Sequence, residues 1–203
     1  TESVESVTIA KVDEKWQPIK GTEEIIPCDT LLLSVGLIPE NELSRKAGVL
    51  IDPITAGPFV DDRFETNVPG IFAAGNVVHV YDLVDWVPEA GFVAGDNAAR
   101  FALTERRKEI RHIPLVPGAY VRYIVPQTLF KDSLTEGDVR LQLRVKEPIE
   151  SPVWVEVHNE ERMVMRKAEP YVRPGEMVTV VLTPKHYEDC EVSNKLIVSV
   201  VKR

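Results

Sequence analysis

The segment from Thr66 to Asn76 constrains the fold of this chain more than any other. It reads as a threonine, a proline-glycine turn, a run of small and apolar residues, and then a glycine followed by an amide side chain. The run from Phe72 to Ala74 predicts a short buried strand, and Gly75 allows the backbone at its end to pass close to a ligand. The Asn76 amide then offers a hydrogen-bond acceptor. The segment therefore predicts a strand that ends at a binding site.

This order of residues resembles the second flavin-binding motif of the FAD-dependent pyridine nucleotide oxidoreductases, the family that includes thioredoxin reductases. The resemblance implies that Ala74, Gly75 and Asn76 bind FAD, with the Asn76 amide bonded to a ribityl hydroxyl. The family usually has aspartate at this position. Asparagine keeps an acceptor oxygen but loses the charge, so we expect weaker FAD binding rather than none.

Two further segments fit the same family. Residues 28–41 resemble the strand, ending in glycine-x-x-proline, that closes the pyridine nucleotide domain, and Gly36 would let the backbone turn beside a nucleotide. Residues 88–99 resemble the helix that follows the flavin motif, with Glu89 and Ala90 near the flavin edge. That edge becomes negative on reduction and suits the positive end of a helix. Taken alone, the two segments also fit a buried strand with a glycine turn and an Ala-rich helix packed on a sheet.

The resemblance covers residues 25–103 and implies that residues 1–111 are the C-terminal part of FAD/NAD(P)-binding domains, an α/β and Rossmann-like architecture. The cofactors implied are FAD and NAD(P)H, with hydride passing between nicotinamide and flavin. No Gly-x-Gly-x-x-Gly occurs in the chain, and its first residue is threonine. The partner expected is therefore the missing N-terminal half of the same protein, which would bind the pyrophosphate. We expect the isolated chain to bind FAD poorly and to be inactive.

Hydrophobic patterning predicts the elements around the motif. We expect a hairpin or meander over residues 4–29, a fully buried strand over 30–36, and a short helix over 41–47. A longer helix is predicted from Pro88 to about residue 103, with basic residues 106–108 at its negative end. The loop over residues 77–87 contains His79, Tyr81, Asp82, Asp85 and Trp86, which could line the flavin edge or a substrate opening. We assign none of them a catalytic role, because such groups in loops are more often exposed or hydrogen-bonded.

The character of the sequence changes near residue 112. Pro114 and Pro117-Gly118 predict a linker, and six alternating segments follow. They predict an all-β, antiparallel sandwich over residues 112–203, which could hold a homodimer together or dock a redox partner. The six segments are residues 120–125, 139–146, 153–157, 162–167, 177–182 and 196–201.

Composition limits the other partners. The formal net charge of −8 argues against nucleic acid, and the longest apolar run is too short to cross a bilayer. Cys28 and Cys190 suit neither a disulfide framework nor a metal site, and the histidines lack metal-ligand spacing. We therefore predict a cytoplasmic protein without a metal site.

A second interpretation is a non-catalytic binding or scaffold protein, in which the flavin half has decayed and the β-sandwich mediates protein–protein interaction. The asparagine at position 76 and the missing first glycine motif favour it. The preserved spacing from Thr66 to Asn76 opposes it. A yellow preparation would indicate the oxidoreductase, and a colourless one the scaffold.

Overall fold

The computed structural model describes residues 3–34, 36–103, 112–130, 133–191 and 193–203. The chain divides into two compact units, Thr1–Leu37 and Ile38–Arg203. It is a mixed α/β protein in which most of the regular structure is strand.

The first unit contains a β-hairpin, as the alternating pattern predicts. β1 (Ser6–Ile9) and β2 (Glu24–Pro27) pair antiparallel, with Ser6 opposite Pro27 and Ile9 opposite Glu24. In the connection, Gly21 adopts a left-handed conformation with φ +83°, which glycine reaches without steric cost.

The buried strand predicted over residues 30–36 is wrong for the residues that the structure describes there. Residues 31–34 and 36 form no strand, and the side chain of Leu32 is 89% exposed; Val35 lies outside the described residues. A strand buried on both faces needs neighbouring strands for its hydrogen bonds, and the described part of this unit provides only the hairpin. An apolar run is therefore not sufficient to make a strand.

The second unit begins with α1 (Glu42–Lys46), which confirms the predicted short helix. The predicted strand around Phe72 is wrong, since Phe72 makes only one isolated antiparallel bridge, with Glu65. A short 3-10 helix, Gly75–Val77, follows, and then α2 (Trp86–Leu103). α2 begins two residues before the predicted Pro88, and the basic residues expected at its end lie outside the described residues.

Eight strands follow residue 111 in the described part of the chain. They are β3 (His112–Pro117), β4 (Val121–Val125), β5 (Thr128–Phe130), β6 (Val139–Val145), β7 (Val153–His158), β8 (Met163–Glu169), β9 (Val178–Leu182) and β10 (Leu196–Lys202), with short helices α3 (Ser133–Glu136) and α4 (Tyr187–Glu191). One sheet has the order β5-β3-β10-β7-β8 and another the order β4-β6-β9. Each of the six predicted segments contains a strand.

The predicted linker at Pro114 and Pro117 is wrong, because these prolines lie in β3. Ile113 and Leu115 are buried while Pro114 is exposed, so the segment alternates as a strand despite its prolines. β3 pairs parallel with β10, although the sequence predicts antiparallel pairing throughout. A parallel pair of strands needs a long connection between them, and the described chain between β3 and β10 is long enough to provide it.

One hydrophobic core lies among these strands, built from the inward positions of both sheets. A smaller cluster joins Val60 and Val78 to Tyr123 and Val125. Gln127 fixes this junction through two hydrogen bonds to Val60. Its side-chain oxygen accepts from the Val60 N–H at 3.0 Å, and its backbone N–H donates to the Val60 carbonyl at 3.0 Å. Residues on both sides of the predicted boundary at 111/112 thus share contacts, and that boundary stays a prediction.

Candidate functional site

The turn before Gly75 has the geometry that its sequence demands. Gly70 is left-handed, with φ +83°, and its N–H donates to the Glu65 carboxylate at 2.8 Å. A Cβ atom at Gly70 would lie 2.8 Å from the ring of Phe101. The Thr66 hydroxyl accepts from the Val68 N–H at 3.2 Å. The turn is therefore closed by its own side chains and packs directly on α2.

Gly75 occupies a left-handed conformation, with φ +77°, and is buried. Ala74 before it is extended, with φ −144° and ψ 163°, so the chain changes direction at the glycine. A Cβ atom at Gly75 would lie 3.2 Å from Cγ1 of Val87. Both the dihedral angle and the contact favour glycine at this position.

The Asn76 side chain is exposed immediately after this change of direction. Its amide oxygen accepts a hydrogen bond from the Tyr81 N–H at 3.2 Å. A carbonyl oxygen has two lone pairs, so the amide can still accept a second bond and donate through its nitrogen. The arrangement presents an oriented amide to solvent.

Asn41 also bonds to this turn, although the sequence did not predict it as a site residue. It is 4% exposed, and its amide nitrogen donates to the Ala56 carbonyl at 2.9 Å and to the Val77 carbonyl at 3.0 Å. The Ser44 hydroxyl donates to its amide oxygen at 3.0 Å. The only sequence signal was an asparagine before a helix, which suggested a helix start. Its tertiary role links α1 to the 3-10 helix at Asn76.

Glu89 lies in the first turn of α2 and Ala90 follows it, and this helix contacts the 3-10 helix of the motif. The Glu89 carboxylate forms an ion pair with Arg140 of β6, and Ala90 is 5% exposed. Their side chains are thus occupied within the protein. A role for these two residues at a flavin edge stays a prediction.

A small open cavity of about 50 Å³ lies beside these residues. Phe64, Trp86 and Val93 give it apolar walls, while Arg140 and Gln142 provide polar groups. Sites that hold cofactors are typically about 300–1,000 Å³. This cavity is too small to enclose a flavin.

Gly36 belongs to the first unit, whereas Ala74, Gly75, Asn76, Glu89 and Ala90 belong to the second. Gly36 is left-handed, with φ +85°, as a turning glycine requires. A Cβ atom there would meet no atom of the described residues within 4 Å. The second unit brings the other five residues into one region through α2 and the 3-10 helix.

His79 is a buried residue, contrary to the expectation for a loop histidine. It is 1% exposed, and neither ring nitrogen has a hydrogen-bond partner among the described residues. Burial, together with the positive charge of Arg144, lowers its pKa to about 4. Its ring packs edge-on against Tyr81, with 4.4 Å between ring centroids. His79 is therefore a neutral packing residue at neutral pH.

Two absences were found within the described part of the chain. No three His, Cys, Asp or Glu side chains there converge as metal ligands. No helix there is long and apolar enough to pass through a membrane.

A family model described as pyridine nucleotide-disulphide oxidoreductase matches residues 2–104. A mitochondrial dihydrolipoyl dehydrogenase from Mesocricetus auratus is 42% identical over 81 residues, covering 39% of this chain and 17% of that protein. A ferredoxin–NADP reductase from Ignicoccus hospitalis is 33% identical over 86 residues, covering 42% and 28%. A thioredoxin reductase from Listeria monocytogenes is 35% identical over 86 residues, covering 41% and 26%.

The chain thus spans between about a sixth and just over a quarter of the length of these curated relatives. No solved structure matches it significantly. The similarity is concentrated in residues 2–104, which include the turn at Gly75.

Proposed function

The chain belongs to the pyridine nucleotide-disulphide oxidoreductase family, and we propose on this premise that it is the C-terminal portion of an FAD-dependent NAD(P)H oxidoreductase. When bound, FAD would accept hydride from the nicotinamide and pass electrons to an acceptor. The observation that carries the proposal is the left-handed Gly75 directly before the exposed, oriented amide of Asn76.

In this proposal Asn76 binds a ribityl hydroxyl of FAD through its amide. Gly75 and Ala74 contribute backbone that a ligand can approach closely, because Gly75 has no side chain. Gly36 lies beside a nucleotide in the same way. Glu89 and Ala90 contribute through the backbone of α2, since their side chains are occupied within the protein.

We further propose that residues 1–111 are the remaining part of a Rossmann-like FAD/NAD(P)-binding architecture and that residues 112–203 form a β-sandwich. The two sheets with one shared core support the second assignment. The family match to residues 2–104 supports the first.

An exposed apolar face on α2 supports a partner for this chain. Pro88, Phe92, Gly95 and Ala99 recur at three- and four-residue spacing, and all four are exposed. Phe92 is 79% exposed, and a Cβ atom at Gly95 would meet no atom of the described residues within 4 Å. A contiguous exposed apolar patch is typical of an interaction surface, and here it has Phe92 as its one large side chain.

We propose that the N-terminal half of the same protein covers this face, because the matched segments make up only 17–28% of the length of the relatives. A cysteine introduced by Phe92→Cys would react with a thiol reagent in this chain and be protected in the complete protein. Glu147→Cys, at an exposed position in the segment after β6, is the control and should react in both. Equal reactivity of F92C in both proteins would exclude this partner.

Two other proposals concern assembly and compartment. A homodimer or a redox partner bound through the proposed β-sandwich of residues 112–203, here called the β domain, would use surfaces outside the core. Light scattering of the complete protein tests the dimer. The cytoplasm is the proposed compartment, which the two free cysteines support.

The decisive experiment is purification of the complete protein. We expect a yellow preparation with flavin absorbance that bleaches when NADH or NADPH is added without oxygen. We expect the isolated chain to bind FAD at least tenfold more weakly in calorimetry. A complete protein that stays colourless after incubation with FAD would contradict the proposal and favour the non-catalytic binding or scaffold protein.

A further inference from the structure

Arg144 of β6 is bonded through its whole guanidinium group. Its Nε donates to the Tyr123 hydroxyl at 3.0 Å, Nη1 donates to the Pro174 carbonyl at 3.3 Å, and Nη2 donates to the Val80 carbonyl at 3.2 Å. Nη2 also pairs with the Asp82 carboxylate. The side chain is 14% exposed, so these bonds are largely shielded from water. Arg144 therefore fixes the segment from Val80 to Asp82 against the β domain.

Asp82 is held a second time. Its other carboxylate oxygen accepts from the Met177 N–H at 2.5 Å, immediately before β9. The Asp82 carboxylate thus accepts hydrogen bonds from two separate parts of the β domain, Arg144 on β6 and the Met177 N–H before β9. Bonds between a guanidinium or an N–H group and a carboxylate are among the strongest hydrogen bonds in proteins.

Tyr81, between Val80 and Asp82, connects the contacts of Arg144 to the candidate site. The Tyr81 N–H donates to the Asn76 amide oxygen at 3.2 Å. The Val80 carbonyl belongs to the same planar peptide group as this N–H, and Arg144 bonds both that carbonyl and the Asp82 carboxylate on the other side of Tyr81. These two contacts therefore set the direction of the Tyr81 N–H. The orientation of the Asn76 amide follows from it.

We propose that Arg144 is a positioning residue for the Asn76 amide. The β domain sets the orientation of this amide through Arg144, Asp82 and Tyr81. The inference rests on the proposed function, because it assumes that Asn76 binds FAD. It gives the β domain a role in cofactor affinity, separate from any role in assembly.

The test uses the complete protein and FAD titrated by flavin fluorescence. Arg144→Met removes all four bonds, and we expect the Kd for FAD to rise at least tenfold. Arg144→Lys keeps a charge for Asp82 but lacks the planar fork, so we expect an intermediate rise. Arg166→Met is the control, since Arg166 stacks on Trp154 on β7, and we expect less than a twofold change.

A double-mutant cycle separates positioning from general support of the fold. In an Asn76→Ala background the amide is absent, so Arg144→Met should change the Kd for FAD less than twofold. A similar rise in both backgrounds would overturn the proposal, as would an unchanged Kd in the single variant. If Arg144→Met does not fold, Arg144→Lys and Asp82→Asn are put through the same cycle with the same criterion.

The outcomes also separate the inference from its premise. A yellow wild-type protein whose Arg144 variants bind FAD normally would overturn only the inference. A colourless wild-type protein would overturn both.

Discussion

A Cβ atom on Gly57 would lie 1.7 Å from the carbonyl oxygen of Val78, so these two residues pack backbone against backbone. Gly57 is held in place because its carbonyl accepts from the Asp52 N–H at 2.8 Å and its N–H donates to the Thr55 hydroxyl at 3.2 Å. This contact fixes Val78 in the segment that follows Asn76.

Gly57→Ala should therefore destabilise the chain, because one of the two backbones must move. Overpacking of this kind typically costs about 1–3 kcal/mol of unfolding free energy, and we expect the upper part of that range. Gly91→Ala is the matched control, because no atom of the described residues lies within 4 Å of its new Cβ. Alanine is favoured over glycine in a helix by about 1 kcal/mol, so this control should stabilise. Thermal unfolding measures both, and equal effects would contradict the close contact.

Asn76→Asp should tighten FAD binding by the complete protein. A carboxylate can still accept from the Tyr81 N–H, and bonds to charged groups contribute about 1.5–3 kcal/mol against about 1 for neutral ones. We expect a three- to tenfold lower Kd for FAD, and a higher one for Asn76→Ala. Asn97→Ala on α2 should leave it unchanged, since among the described residues the Asn97 amide bonds only to the Val93 carbonyl in its own helix. Weaker binding by the aspartate variant would contradict the assigned contact.

Asp62 should make the protein less stable as the pH rises from about 4 to 7. Burial raises the pKa of Asp62 from 3.8 to about 7, and neighbouring Asp61 adds to the rise. The folded state then binds a proton that the unfolded state has lost, so stability falls across this window. Asp62→Asn removes this loss, which reaches up to about 4 kcal/mol by pH 7, because one pKa unit corresponds to about 1.4 kcal/mol. Urea unfolding at pH 4.5, 6 and 7.5 tests it, with exposed Asp96→Asn as control. A gap between variant and wild type that does not grow with pH would be inconsistent with a buried carboxylate.

His79 should make the protein less stable as the pH falls, the opposite of the effect of Asp62. Its pKa is lowered from 6.5 to about 4 by burial, so the unfolded state binds the proton first and stability falls as the pH drops from about 6.5 to 4. His79→Leu should remove this loss. At pH 7 the change should stay within about 1 kcal/mol, because the unpaired nitrogens and the ring contacts are lost together. The same urea series measures it, and His158→Leu at a half-exposed site is the control. Unchanged acid sensitivity would show that His79 is solvated.

Local features of the site were predictable from the sequence. The turn at Gly70, the change of direction at Gly75 and the exposed amide at Asn76 all occur. They depend on dihedral angles that few residues other than glycine adopt easily, so the residue type itself indicates the conformation.

The partners of the site were not predictable in the same way. Asn41, Gly57 and Arg144 contact the segment after Gly75 from positions far away in the chain. No spacing in the sequence indicates these contacts, because they depend on how the second unit packs.

By itself, the sequence determined where most helices and strands form, since β10 and the other predicted β segments alternate and α2 has helical spacing. Tertiary structure alone decided what lies beside them. Leu31 to Leu33 have the composition of a buried strand and remain exposed, while Pro114 lies in a paired strand. Periodicity and propensity act between neighbours in the chain, whereas burial and pairing require a partner surface that only the folded chain provides.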